Sequence, residues 1–167
     1  MKRIGSKNEP GLGAAGHERA VHREHVLYVE DDDSNWRVAE LRLSQGYDLL
    51  RASNSEQACR VIHQRGTELA AILMDIELRG SELNGVELTK LIRGKRSAVE
   101  VPAYARDLPT LLNTPIIFVT AHGAKYSDAQ LLLAGGDKVI GKPVDFGALS
   151  VALTQLHLAR RAARTRR

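Results

Sequence analysis

At 167 residues, 43% of them hydrophobic and 26% charged, the chain is long enough for one well-filled domain and cramped for two. Aromatic residues make up only 4%, so a core must rest on Leu, Ile, Val and Ala, which suits helices packed on a parallel sheet better than a sandwich. The single cysteine, Cys59, excludes an internal disulfide and a multi-thiolate metal site and fits a reducing compartment. No apolar stretch follows Lys2 and Arg3, and no run approaches membrane-spanning length, so the expectation is a cytoplasmic protein without membrane contact.

The net charge of +4 is unevenly placed. Arg160 to Arg167 holds five Arg and no acid, and subtracting those five leaves the remaining residues at −1. The basic pI therefore describes residues 159–167, expected as an Arg-rich tail, and nucleic-acid binding is expected only weakly and only through it. Residues 1–25 carry Gly5, Gly11, Gly13 and Gly16 with His17, His22 and His25 and no periodicity, which predicts a flexible lead-in. His22 and His25 could share a helix face, but no partner is spaced to complete a metal site.

From Val26 the pattern alternates between strand and helix. Val26 to Glu30 predicts a buried strand, followed by Asp33-Ser34-Asn35 as helix caps and Trp36, Val38, Ala39, Leu41 and Leu43 at helical spacing, stopped at Gly46. Tyr47 to Ala52 predicts a second strand, and Ser53-Asn54-Ser55 with Glu56 opens a helix carrying Ala58, Val61 and Ile62 to Gly66. Ala70 to Met74 is the third strand, and Val86, Leu88, Leu91 and Ile92 mark the third helix. Gly94 to Thr114, with Pro102 and Pro109, is a connection longer than such folds usually need: either a surface excursion packed on the body or a partner-binding insert. Pro115 to Thr120, Ser127 to Ala134, Lys138 to Ile140 and Phe146 to about Ala159 complete five strand and helix pairs. Strict alternation implies right-handed crossovers and a five-stranded parallel sheet in an α/β, doubly wound fold.

Four of those strands end on reactive residues: Glu30-Asp31, Asp75, Thr120 and Lys142. The second ends in Ala52-Ser53, with nothing ionisable, as expected of an edge strand in the order 2-1-3-4-5. Any one of these endings alone would be ordinary, since acids cap helices and Lys and Thr occur on surfaces. Together, at the ends where open parallel sheets bind ligands, they form a chemical set. Glu30, Asp31 and Asp75 brought together would repel, so a cation should sit among them, and oxygen ligands with room for water suit Mg²⁺. With its charge offset, Asp75 can attack phosphorus and form an aspartyl phosphate, while Lys142 pairs with the phosphoryl group and Thr120 donates to one of its oxygens.

The segments VLYVEDD, ILMDIE, PIIFVTAH and VIGKPVD, in that order, resemble the signature segments of the response-regulator receiver domain, the CheY-like fold, over about Val26 to Leu158. The resemblance implies that Asp75 is the phosphoacceptor, that Glu30, Asp31 and Asp75 bind Mg²⁺ with the backbone carbonyl of Glu77, and that Thr120 and Lys142 are the switch pair. It implies that Glu77 and His122 flank the path of the hydrolytic water and tune the lifetime of the phosphoryl group. It also implies a histidine kinase or phosphotransfer protein as donor, a downstream protein target, and a phosphorylation-dependent homodimer through the last helices and strand. The chain departs from the family pattern in three places. Val139 stands where an aromatic often reports phosphorylation, the loop from Ile76 to Gly85 is longer and lacks the common Pro, and the Gly94–Thr114 connection is expanded. Two other functions compete: a receiver-like module that binds unphosphorylated, and an Asp-nucleophile phosphatase of the haloacid dehalogenase type. The second wants an Asp where Glu77 stands, and a cap domain.

Overall fold

The computed structural model describes residues 23–95, 99–121 and 125–165. Five strands, β1 (Glu24–Val29), β2 (Tyr47–Ala52), β3 (Leu69–Asp75), β4 (Ile116–Ala121) and β5 (Lys138–Lys142), form one parallel sheet in the order β2-β1-β3-β4-β5. Five helices follow them in turn: α1 (Asp33–Leu43), α2 (Ser55–Arg65), α3 (Gly85–Ile92), α4 (Asp128–Ala134) and α5 (Phe146–Thr165). The expected flavodoxin-like architecture and strand order are both present, with β2 at an edge.

The three inner strands are apolar almost throughout because both faces of the sheet are covered. Alternation along each strand sorts their side chains. Val26 and Tyr28, Ala71 and Leu73, Ile117 and Val119 pack with Ala39 and Leu43 of α1 and Leu149, Ala152 and Leu153 of α5. Leu27 and Val29, Ile72 and Met74, Ile116 and Phe118 face Ala58 and Ile62 of α2, Leu88 and Ile92 of α3, and Leu131 of α4. Burial of this many Leu and Ile side chains, at about 1.5–3 kcal/mol each, is what holds the layers together.

Some boundaries differ from those read in the sequence. Strand β1 starts at Glu24, so Glu24 and His25 belong to the sheet, where the His25 ring lies 2.6 Å from the Arg65 guanidinium. The α1 cap is Asp32, whose carboxylate accepts from Ser34 N and Asn35 N, rather than Asp33, Ser34 or Asn35. Helix α5 continues through Thr165 where an end near Ala159 is expected. Its continuation is held to the sheet: His157 pairs with Glu24 at 3.0 Å, and Arg160 donates to the Leu69 carbonyl at 2.9 Å. The described part of the 94–114 connection packs on the body. Ala105 and Leu111 are buried in the α2–α3 side of the core, a Cβ on Gly66 would lie 3.3 Å from Leu111, and the Tyr104 and Ser55 hydroxyls lie 2.6 Å apart.

Candidate phosphoryl and metal site

The order of strands reverses between β1 and β3, and their C-terminal ends open onto a cavity of about 490 Å³. Glu30, Asp31, Asp75, Glu77, Arg79, Thr120 and Lys142 are among its lining residues. Sequence positions 30, 75, 120 and 142 therefore meet in space, each delivered by the end of its own strand. The turn after β3 fixes Asp75 from behind, because Gly85 approaches so closely that a Cβ there would fall 1.9 Å from the Asp75 carbonyl oxygen.

Lys142 is the hub. Its Nζ donates to Asp75 Oδ2 at 2.6 Å and to Glu30 Oε2 at 2.8 Å. Glu30 is fully buried and accepts further bonds from the Tyr28 hydroxyl (2.9 Å), the Asp32 backbone N–H (3.1 Å) and Asn35 Nδ2 (3.3 Å). Burial by itself would raise the Glu30 carboxyl, but the Lys142, Tyr28 and Asn35 donors outweigh it and hold the group below its ordinary value. Asp75 goes the other way. Burial pushes its carboxyl up to about 6, Lys142 pulls against that rise, and the Glu30 charge adds to it. Burial would lower Lys142, yet its bonds to Asp75 and Glu30 prevail and raise it, so it stays a cation.

One carboxylate oxygen each from Glu30, Asp31 and Asp75 lies within 4.8 Å of the others, a spacing at which hard oxygen donors can share one small cation. The donor set fits Mg²⁺, because all three ligands are carboxylate oxygens and the cavity is wide enough for water. The Glu77 side chain is exposed, and its backbone N–H lies 3.4 Å from Asp75 Oδ1. Thr120 is half-buried at the rim, its hydroxyl donating to the Ala121 carbonyl at 3.3 Å. Val139 is half-buried beside Phe118, its register partner in β4. His122 lies outside the described residues.

The model of the response regulator receiver domain matches residues 26–154. The chain belongs to that family. Receiver domains are the regulatory modules of two-component systems and are not enzymes in the ordinary sense. This receiver is 31% identical over 119 residues to the phosphate regulon transcriptional regulatory protein PhoB of Pseudomonas aeruginosa, an alignment covering 71% of this chain and 44% of PhoB. It has the same identity over 119 residues to the transcriptional regulatory protein YrkP of Bacillus subtilis, covering 71% of the receiver and 42% of that protein. It thus spans less than half of either relative. Its fold superposes on a response regulator receiver domain protein from Clostridium thermocellum with a TM-score of 0.70, over 84% of this chain and 98% of the other, at 17% identity.

Three residues of the receiver's site were not singled out from the sequence. Tyr28 lies inside an apolar run, where an aromatic reads as core, and only the tertiary structure turns its hydroxyl onto Glu30. Asn35 falls among several cap-forming residues. Arg79, in the lengthened loop after β3, donates from Nε to Asp31 Oδ2 at 2.9 Å and has Nη2 3.6 Å from Asp32 Oδ2.

Proposed function

We propose that this receiver accepts a phosphoryl group on Asp75 from a histidine kinase or phosphotransfer protein and that the phosphorylated state changes its contacts with a downstream protein. The observation that carries the reading is the convergence on Asp75. A partly buried carboxylate is held by a cation at 2.6 Å beside two further acids. Glu30, Asp31 and Asp75, with the Glu77 carbonyl, would hold Mg²⁺, which would supply the positive charge that lets the carboxylate and the anionic donor approach.

The chain's own residues do the rest. An Asp75 oxygen attacks phosphorus, the bond from phosphorus to the donor's imidazole nitrogen breaks, and its electron pair stays on the imidazole, which takes up a proton. Lys142 leaves the carboxylate oxygen it now holds and pairs with a phosphoryl oxygen in a charge-assisted contact. The Thr120 hydroxyl turns from the Ala121 carbonyl towards another phosphoryl oxygen. That inward turn biases the adjacent α4 face, and with Val139 in place of an aromatic the movement of Thr120 itself has to carry the signal. In dephosphorylation water attacks phosphorus, the bond from phosphorus to the Asp75 oxygen breaks, inorganic phosphate leaves and the carboxylate is restored, at a rate tuned by Glu77 and His122. A phosphorylation-dependent homodimer through α4, β5 and α5 is one output. Control of transcription, as the names of PhoB and YrkP indicate for those proteins, is another.

Incubation with Mg²⁺ and a small acyl phosphate tests the reading. One acid-stable, base-labile phosphoryl group per chain, absent from Asp75→Asn, is expected. Rapid turnover of varied phosphate esters would support a phosphatase instead, and no labelling from any donor would support an unphosphorylated binding module.

A further inference from the structure

The lengthened loop after β3 places a cation where the metal should go. Leu78 to Ser81 forms a tight turn, closed by Ser81 N–H donating to the Leu78 carbonyl at 3.2 Å, with Gly80 at φ +71°. The base of the turn is fixed on both sides. Leu78 is buried in the core, and Ser81 Oγ accepts from Ser55 N–H at 3.0 Å. Arg79 stands at the tip, its side chain 79% exposed, and reaches back to Asp31, whose side chain is only 13% exposed.

Each of the three clustered acids is thus already matched with a cation: Lys142 serves Glu30 and Asp75, and Arg79 serves Asp31. The two cations are not equally held. Lys142 is shielded on β5 and bonded twice, whereas Arg79 makes a solvent-exposed pair, a type worth about 0–1 kcal/mol. A divalent ion seated on Asp31 would compete with Arg79 for that carboxylate, and would stand beside a like charge until the guanidinium withdrew. Because the turn is anchored, only the arginine side chain has to move.

We infer that Arg79 is a tethered counterion that competes with the divalent cation for Asp31 and so sets the concentration at which the site fills. The inference rests on the metal reading above. It assigns Arg79 a positioning role towards Asp31.

Trp36, the chain's sole tryptophan, follows the acidic stretch on α1, 6.3 Å from the Tyr28 ring and 5.6 Å below the Arg51 guanidinium. Its emission, with isothermal titration calorimetry beside it, gives a metal readout that needs no phosphorylation. Mg²⁺ titrated into the full chain should half-saturate Arg79→Ala at a concentration about two- to fivefold lower than wild type, with Arg79→Lys between them. In an Asp31→Asn background the same Arg79→Ala change should leave affinity unaltered. Equal or weaker binding by Arg79→Ala, while wild type binds, overturns the inference alone, as does a full gain persisting without Asp31. If neither wild type nor Arg79→Ala binds Mg²⁺, the metal reading falls and the inference with it.

Discussion

Two clusters of shielded charge sit at opposite ends of β4 and β5, and they are balanced in opposite ways. At the N-terminal ends, Arg93 is 8% exposed and all three nitrogens of its guanidinium donate hydrogen bonds. Nε donates to the Gly135 carbonyl at 2.9 Å, Nη1 to the carbonyls of Thr114 (2.9 Å) and Leu111, and Nη2 to Asp137 Oδ2 at 2.8 Å. Asp137 Oδ2 in turn accepts from Ile116 N–H at 2.8 Å. At the C-terminal ends, three acids crowd a cavity, and burial leaves Asp75 with a carboxyl pushed up to about 6. The first cluster needs nothing further. The second holds crowded negative charge that a cation would relieve, a pattern common at working sites and not expected of a brace.

The Arg93 end is the more direct place to break this contrast. Arg93→Ala should lower unfolding free energy by about 3 kcal/mol or more, because the buried Leu111 and Thr114 carbonyls and Asp137 all lose a charged donor at once. Its stem also fills the space beside Gly135, where a Cβ would fall 2.5 Å from Arg93 Cγ, so no neighbour can close in cheaply. Urea denaturation measures the loss. A cost below about 1 kcal/mol, the scale of an exposed pair, would remove the distinction between the two clusters.

The same measurement on the other cluster should give the opposite sign. Asp75→Asn removes a carboxylate whose folded pKa lies above its ordinary value, so the native state holds the proton more tightly than the unfolded chain does. The resulting penalty is absent below the unfolded value near 4, grows as pH rises, and is complete above about 6. Without metal, Asp75→Asn should therefore be the more stable protein at pH 8, by on the order of 1–2 kcal/mol, and the gap should close as pH falls towards 4. A wild type that is the more stable of the two at pH 8 would contradict the strained reading of Asp75.

The difference between the clusters also marks what the sequence could disclose. Glu30, Asp31, Asp75, Thr120 and Lys142 were legible because each ends an apolar run, and strand ends of a parallel sheet fall on one side by topology alone. The fold was legible for the same reason: strands covered on both faces read as unbroken hydrophobic runs. Arg93 was not, since its partners come from the 94–114 connection and the α4–β5 turn and carry no periodic signal. Arg160 read as part of a solvated tail because its acceptor, the Leu69 carbonyl, lies about ninety residues earlier. In the run Asp31 to Asn35 every side chain can cap a helix, and only the extended backbone at Asp32 (φ −81°, ψ 121°) decides which one does. Tyr104 and Leu111 were ambiguous between insert and surface packing until the Tyr104–Ser55 contact and the close approach to Gly66 were seen.

Tyr28 connects the working cluster to the core that carries it, and gives the smallest and most specific expected effect. Its ring belongs to the α1–α5 side of the sheet, and two residues on, Glu30 projects to the same face, which brings hydroxyl and carboxylate to 2.9 Å. Burial, reinforced by the Glu30 charge, raises the phenol well above its ordinary value, so it remains a donor throughout the working range. Tyr28→Phe keeps the packing and deletes one bond, while Lys142, Asn35 and the Asp32 N–H still hold Glu30. The expected cost is about 1 kcal/mol at pH 7. Because the lost bond helps depress the Glu30 carboxyl, that part of the cost should be constant above the usual Glu range and be lost only as pH falls below that range, through the lowered folded value. A cost that stays the same at pH 3 would show that the hydroxyl serves packing alone, and that the metal-side acids are not poised by the core beneath them.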